Sequence, residues 1–266
     1  MSDAASGEQI EAARAYEALL VPALFAQWPP RLLEAARIRP GDRVLDVACG
    51  TGVLARAAAG RVGPRGQVAG LDLDAGMLAL ARRADATVEW RQGRAEALPW
   101  NESTFDAVLS QFGLMYFPDP QAALLEMLRV LRPGGRLGLA VWASLERTEV
   151  YPELVAVLDR IAGAAAADAL RAPFALGDVD TFGRMLRSAG AGEVEVVQTP
   201  GRARFPSLHA LVDAEVRGWL PLMGVVLEEV QVAAVHAASE QALGRFLGAD
   251  GTLAFAAPAL LARGRR

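Results

Sequence analysis

Two acidic residues stand where an acid is costly. Asp46 interrupts an apolar run in VLDVACGTG (44–52), and Asp72 closes a second one in QVAGLD (67–72). The first run ends in a glycine loop, Gly50-Thr51-Gly52, which lets a ligand approach the backbone and admits left-handed φ values. Read on through Ala55, the loop satisfies the loose dinucleotide fingerprint G-x-G-x-x-A. Asp72 follows about twenty residues later, where a ribose-binding acid belongs. Those features alone leave a dinucleotide, a phosphate and a sulfonium cofactor open.

The other acids narrow the choice. Asp46, two residues before Ala48, can reach the loop, where it repels a pyrophosphate and attracts an ammonium or sulfonium. Glu96, in GRAEALP (93–99), can face the same pocket, and no arginine near the helix start is placed to neutralise phosphate. The balance favours a cationic, phosphate-free nucleoside, a description that S-adenosyl-L-methionine fits. The rivals are an NAD(P)-dependent oxidoreductase and a non-enzymatic S-adenosylmethionine-binding protein.

The elements that must position these residues alternate. Apolar runs at 43–48, 67–72, 87–91, 105–110 and 136–142 read as strands, and 53–59, 75–83 and 120–131 as helices between them. Such alternation predicts right-handed βαβ units and a parallel sheet. Ahead of it, residues 8–37 hold two helical patterns broken at Pro29-Pro30. Beyond it, 149–167, 178–189, 207–219 and 228–247 read as helices and 193–199 as a strand. A last strand is expected over 252–262, with Pro258 limiting its hydrogen bonding.

Composition bounds the chemistry. In 266 residues, all 27 basic side chains are arginine, so Schiff-base and P-loop lysine chemistry are excluded. Cys49 is the only cysteine, which excludes an intrachain disulfide and cysteine-rich metal sites, and no metal is expected. A net charge of −4 argues against a nucleic-acid partner. No signal-type or membrane-spanning apolar run is found, so a cytoplasmic protein is expected.

Four blocks in order carry a family resemblance: VLDVACGTG (44–52), GLDLDAGMLALAR (70–82), GRAEALPWNESTFDAVLSQFGLMYFPD (93–119) and EMLRVLRPGGRLGLAVW (126–142). Over roughly residues 16–142 the chain resembles class I S-adenosylmethionine-dependent methyltransferases of the ubiquinone/menaquinone-biosynthesis type. RAPFALGD (171–178) and AGAGEVEVV (189–197) resemble a subgroup with helical insertions. The resemblance implies a Rossmann-like α/β fold, with a mostly parallel seven-stranded sheet, helices on both faces and a helical lid. It also implies one domain over 1–266: N-terminal helices (1–40) above the site, a cofactor-binding core (41–142), and lid insertions at 143–177 and 206–250.

The resemblance also implies roles. Asp46 and the loop Ala48, Cys49, Gly50, Thr51 and Gly52 would hold the methionine end of the cofactor, and Asp72 the ribose hydroxyls. Leu73 and Met77 would pack on adenine, Ala95 would meet its edge, and Gln111 would lie below the sulfonium and the methionine carboxylate. Two positions depart from the pattern. Arg94 stands where many relatives have an aspartate that accepts from the adenine amino group, which leaves adenine to backbone and to Glu96. Ala48 replaces a glycine, a change expected to be tolerated because the site demands small size.

The implied reaction is methyl transfer to a small, largely apolar metabolite by in-line displacement, with the protein supplying mainly alignment. The expected acceptor wall is aromatic and apolar: Tyr16, Phe25, Trp28, Phe112, Met115, Tyr116 and Trp142. A general base is needed only for an acceptor that keeps its proton, and Tyr16, Tyr116 and His209 are the candidates. His209 and His236 both lie in helical stretches and read first as structural. The second-half helices form either a lid or a homodimer interface.

Overall fold

A computed structural model describes residues 5–266. Among the described residues nine strands form in chain order: β1 Arg43–Val47, β2 Gln67–Asp72, β3 Glu89–Gln92, β4 Phe105–Gln111, β5 Leu131–Trp142, β6 Gly192–Thr199, β7 Arg202–Phe205, β8 Leu253–Ala256 and β9 Ala259–Arg265. Seven of them make one sheet in the order β3-β2-β1-β4-β5-β9-β6. All its strands run parallel except β9, which is antiparallel to both β5 and β6. The expected seven-stranded, mostly parallel sheet is therefore present.

The order reverses between β1 and β4, and a crevice opens beyond the carboxyl ends of strands where a sheet is wound in both directions. β1 and β4 are buried almost throughout because helices cover both faces. One apolar cluster, with Leu45, Leu71, Val108, Leu124 and Phe182, fills one face. The other, with Leu32, Leu54, Leu109, Leu154 and Phe255, fills the second and continues into the later helices. Among the described residues, no helix is long and apolar enough to cross a membrane.

Prolines and glycines explain where the observed elements depart from expectation. The predicted last strand is two strands: β8 pairs with β7 in a separate ribbon, and β9 enters the main sheet. Pro258, which cannot donate to a ladder, sits at the junction. The single helix expected over 149–167 is likewise two, Tyr151–Ala162 and Ala164–Arg171, joined at Gly163 with φ +84°. At the N-terminus, Gly7–Ala15 is α-helical and runs into a π-helical segment, Tyr16–Phe25, that contains Pro22. A proline removes an intrahelical hydrogen bond, and the wider π-turn is one way a helix absorbs that loss. Pro29-Pro30 starts the next helix, Pro29–Ala35, where a missing N–H costs nothing.

Candidate active site

A cavity of about 340 Å³ opens where β1 and β4 end, within the size range of small-molecule sites. Its first half is built on β1 and β2. Asp72 accepts from the Gly50 backbone N–H at 2.7 Å and from the Asp74 N–H at 2.9 Å, tying the two strand-end loops together. Asp74 then caps the helix Ala75–Ala84 by accepting from the Met77 N–H at 2.8 Å. Ala48, Gly50, Asp72, Leu73 and Met77 all lie on the wall, as do Arg94, Ala95, Glu96 and Gln111.

The polar atoms here share one deficit. Both Asp46 oxygens, Glu96 Oε1 and Gln111 Oε1 are buried acceptors without a hydrogen-bond partner. Asp46 is buried next to the last residue of β1, beside the switch between β1 and β4. Burial pushes its carboxyl well above the usual range, and the Asp72 charge adds to the shift. The Ala55 amide opposes that shift without completing a hydrogen bond. Asp72 is raised as well, again chiefly by burial. Among the described residues Arg94 is the one cation on the wall; half-exposed, it lies 3.5 Å from Glu96. A cavity of donor-seeking acceptors rejects a phosphate and fits a guest rich in donors and positive charge.

Tyr16 stands over the loop, its hydroxyl 3.8 Å from where a Gly50 Cβ would lie. Burial raises its phenol, reinforced by Asp72, Glu17 and Asp46. The next residue, Glu17, accepts from the Thr51 hydroxyl and lies 3.2 Å from Arg56, so the N-terminal segment is latched to the loop. Sequence reasoning missed this latch, because nothing in the spacing links positions 17 and 51.

The second half of the cavity is aromatic. Phe112 and Trp142 stack at 4.0 Å, and Phe25 packs against both. Tyr116 meets Trp219 at 4.8 Å, and Tyr151 meets Phe174 at 5.2 Å. In this wall lies one acid, Glu215, from the π-helical turn Ala214–Trp219. The Tyr151 hydroxyl donates to its Oε1 at 2.8 Å. Burial pushes the Glu215 carboxyl up to about 7 and raises the Tyr116 and Tyr151 phenols. Glu215 and Tyr151 escaped the sequence reading, though an acid inside LVDAEVRGWL (211–220) is the same kind of clue as Asp46.

Several expected contacts fall elsewhere. Cys49 points away from the cavity and under Gly70, while Thr51 turns to Glu17. Gly52 faces the Trp90 ring, so those three can meet a guest only through backbone. Trp28 is fully buried, packed edge-on against Phe112 and Trp142 behind the wall, and Met115 fills the seam between the two apolar clusters. His209 lies outside the cavity, stacked on His236. Ala48 has φ +59°, so its position demands a left-handed backbone as well as small size, and alanine tolerates that less well than glycine.

Residues 45–139 match the family described as "Methyltransferase domain". That segment is a methyltransferase domain. Over 125 residues the chain is 42% identical to the ubiquinone/menaquinone biosynthesis C-methyltransferase UbiE of Pseudomonas savastanoi pv. phaseolicola, covering 45% of this chain and 49% of that one. The chain thus spans about half the length of the curated relatives it matches. The fold is similar to a putative methyltransferase from an antibiotic biosynthesis pathway of Anabaena variabilis, with TM-score 0.66 and 15% identity over 88% of this chain and 96% of that one. It is also similar to Haemonchus contortus phosphoethanolamine N-methyltransferase 2 in complex with S-adenosylhomocysteine, with TM-score 0.60, 19% identity and coverage of 97% and 57%. These likenesses show a shared fold.

Proposed function

We propose that this protein is a cytoplasmic enzyme that transfers a methyl group to a small, largely apolar metabolite carrying one polar group. The set of buried acceptors at Asp46, Glu96 and Gln111 carries the reading, because they call for an ammonium and other donors and, at Asp46 beside the loop, disfavour a pyrophosphate. In the proposed arrangement Asp46 receives the ammonium of S-adenosylmethionine and Asp72 the ribose hydroxyls. Leu73, Met77 and the Ala95 backbone enclose the adenine, and Glu96 accepts from its amino group. S-adenosylmethionine, when bound, supplies a methyl carbon made electrophilic by the adjacent sulfonium.

The rest is the work of the chain. Phe25, Phe112 and Trp142 present flat apolar surface that orients the acceptor and excludes water. Glu215, bonded to Tyr151 through Oε1, offers Oε2 to the polar group of the acceptor. The segments 143–177 and 206–250 act as the cover and set specificity. His209 has no part in this chemistry. A thermal melt tests the reading. S-adenosylhomocysteine at about a hundredfold its Kd should stabilise the protein by roughly 2.7 kcal/mol, and NAD should do nothing. Stabilisation by NAD and not by S-adenosylhomocysteine would overturn it.

A further inference from the structure

The chain contains only two histidines, twenty-seven positions apart, and the fold brings both to one carboxylate. His209 and Asp213 sit one turn apart on the helix Leu208–Asp213, and His236 comes from the helix Glu229–Leu243 packed beside it. His236 Nε2 lies 3.0 Å from Asp213 Oδ1, and His209 Nε2 lies 3.5 Å from Asp213 Oδ2. Both rings therefore aim the same nitrogen at the same group. All three ligand atoms lie within 4.8 Å of one another. Tetrahedral zinc, with bonds of about 2.0–2.2 Å to nitrogen and oxygen, needs its ligand atoms roughly 3.3 Å apart.

We propose that His209, Asp213 and His236 form a binding site for a divalent zinc-class ion outside the cavity, where the helix Leu208–Asp213 meets the helix Glu229–Leu243. Two imidazoles and a carboxylate are the donor set that suits such ions, and three protein ligands leave a position for water. The imidazoles stack 3.7 Å apart at 16°, so their lone pairs lie in parallel planes and one ring must turn to share an ion. His209 is free to do so, with its side chain 65% exposed. Arg217 approaches Asp213 Oδ1 at 3.3 Å and opposes a cation. Its charge, however, is shared with Glu229, which holds it through two bonds of 2.7 Å. Asp213 directly precedes the turn that carries Glu215 and Trp219, so an ion here clamps the acceptor wall to the helix Glu229–Leu243. The site does not depend on the methyltransferase reading.

Untagged, chelator-treated full-length protein should bind one Zn²⁺ in a competition titration against a chromophoric chelator. Excess Zn²⁺ should raise the Tm by roughly 5 °C or more, reversed by EDTA. Amide exchange over 214–219 should slow in the zinc-loaded form. His209→Ala, at an exposed position where folding is not at risk, should weaken Zn²⁺ at least tenfold, and His209→Ala with His236→Ala should abolish binding. Absence of binding at 100-fold excess Zn²⁺, or binding retained by the double variant, overturns the proposal. Either result leaves a metal-free cluster in which both histidines simply bond to Asp213.

Discussion

At the scale of single residues, the site holds two acids that destabilise the chain and serve the guest. Asp46 is a buried carboxyl with no partner, and burying an acid without one is costly, which is why burial disfavours its charged form. Asp46→Asn should therefore raise the Tm of the ligand-free protein while weakening S-adenosylmethionine at least about tenfold, as loss of one buried charge partner does. Calorimetric titration beside a thermal melt reads both; a variant that loses stability and keeps its affinity would refute the assignment. Glu215 makes a pH-dependent case. Its native pKa, pushed up to about 7, lies above the unfolded value, so the native state holds the proton more tightly. Its contribution is complete below the unfolded pKa near 4.3 and is lost as pH rises toward and past 7. The loss is on the order of 3 kcal/mol. Glu215→Gln should flatten the fall in stability between pH 5 and 8, measured by denaturant midpoints across that range. An unchanged slope would mean that Glu215 titrates normally.

At the scale of elements, the glycine loop shows what spacing discloses and what it hides. Its place at the end of β1, the acids flanking it and the alternation of strands and helices were legible, because periodicity and turn residues are local signals. The backbone angle at Ala48 was not, since φ +59° depends on how the chain leaves β1. Nor was the neighbour of Gly52: a Cβ there would lie 2.5 Å from the Trp90 ring, which belongs to β3, thirty-eight residues on. The aromatic wall was half legible. Tyr16, Phe25, Phe112, Tyr116 and Trp142 line the cavity, whereas Trp28 is core and half-buried Met115 packs against both apolar clusters, because a sequence shows apolar character without direction. Two substitutions separate these demands. Ala48→Gly relieves a left-handed alanine worth about 1–2 kcal/mol but restores entropy to the unfolded chain, for a net gain of roughly 0.5 kcal/mol. Gly52→Ala puts a side chain on a left-handed residue at φ +88° and also drives its methyl into Trp90, so a loss of at least about 2 kcal/mol is expected. Equal effects of the two in denaturant melts would show that the loop is not held as described.

At the scale of the whole molecule, the family-like stretch is not self-sufficient, although residues 16–142 carry all four recognisable blocks. β5 ends that stretch with an edge that β9 covers, every residue from Arg136 to Trp142 being paired with 259–265. Trp28 packs onto Gly201, where a Cβ would meet it at 2.3 Å, and Gly177 closes over the backbone of Ser144 with a bond from the Ser144 N–H at 3.1 Å. On the acceptor side of the cavity, Tyr151, Phe174, Glu215 and Trp219 come from the later chain and face Phe25, Phe112 and Trp142 of the earlier one. A fragment ending at residue 142 would expose a long apolar edge strand and one face of its sheet, a ready template for aggregation. It should therefore melt without a cooperative transition, or precipitate, whereas the full chain should unfold in one transition that S-adenosylhomocysteine shifts upward. Scanning calorimetry on both decides it. A soluble fragment that unfolds cooperatively and binds S-adenosylhomocysteine as tightly as the full chain would show that the second half only covers a domain complete without it.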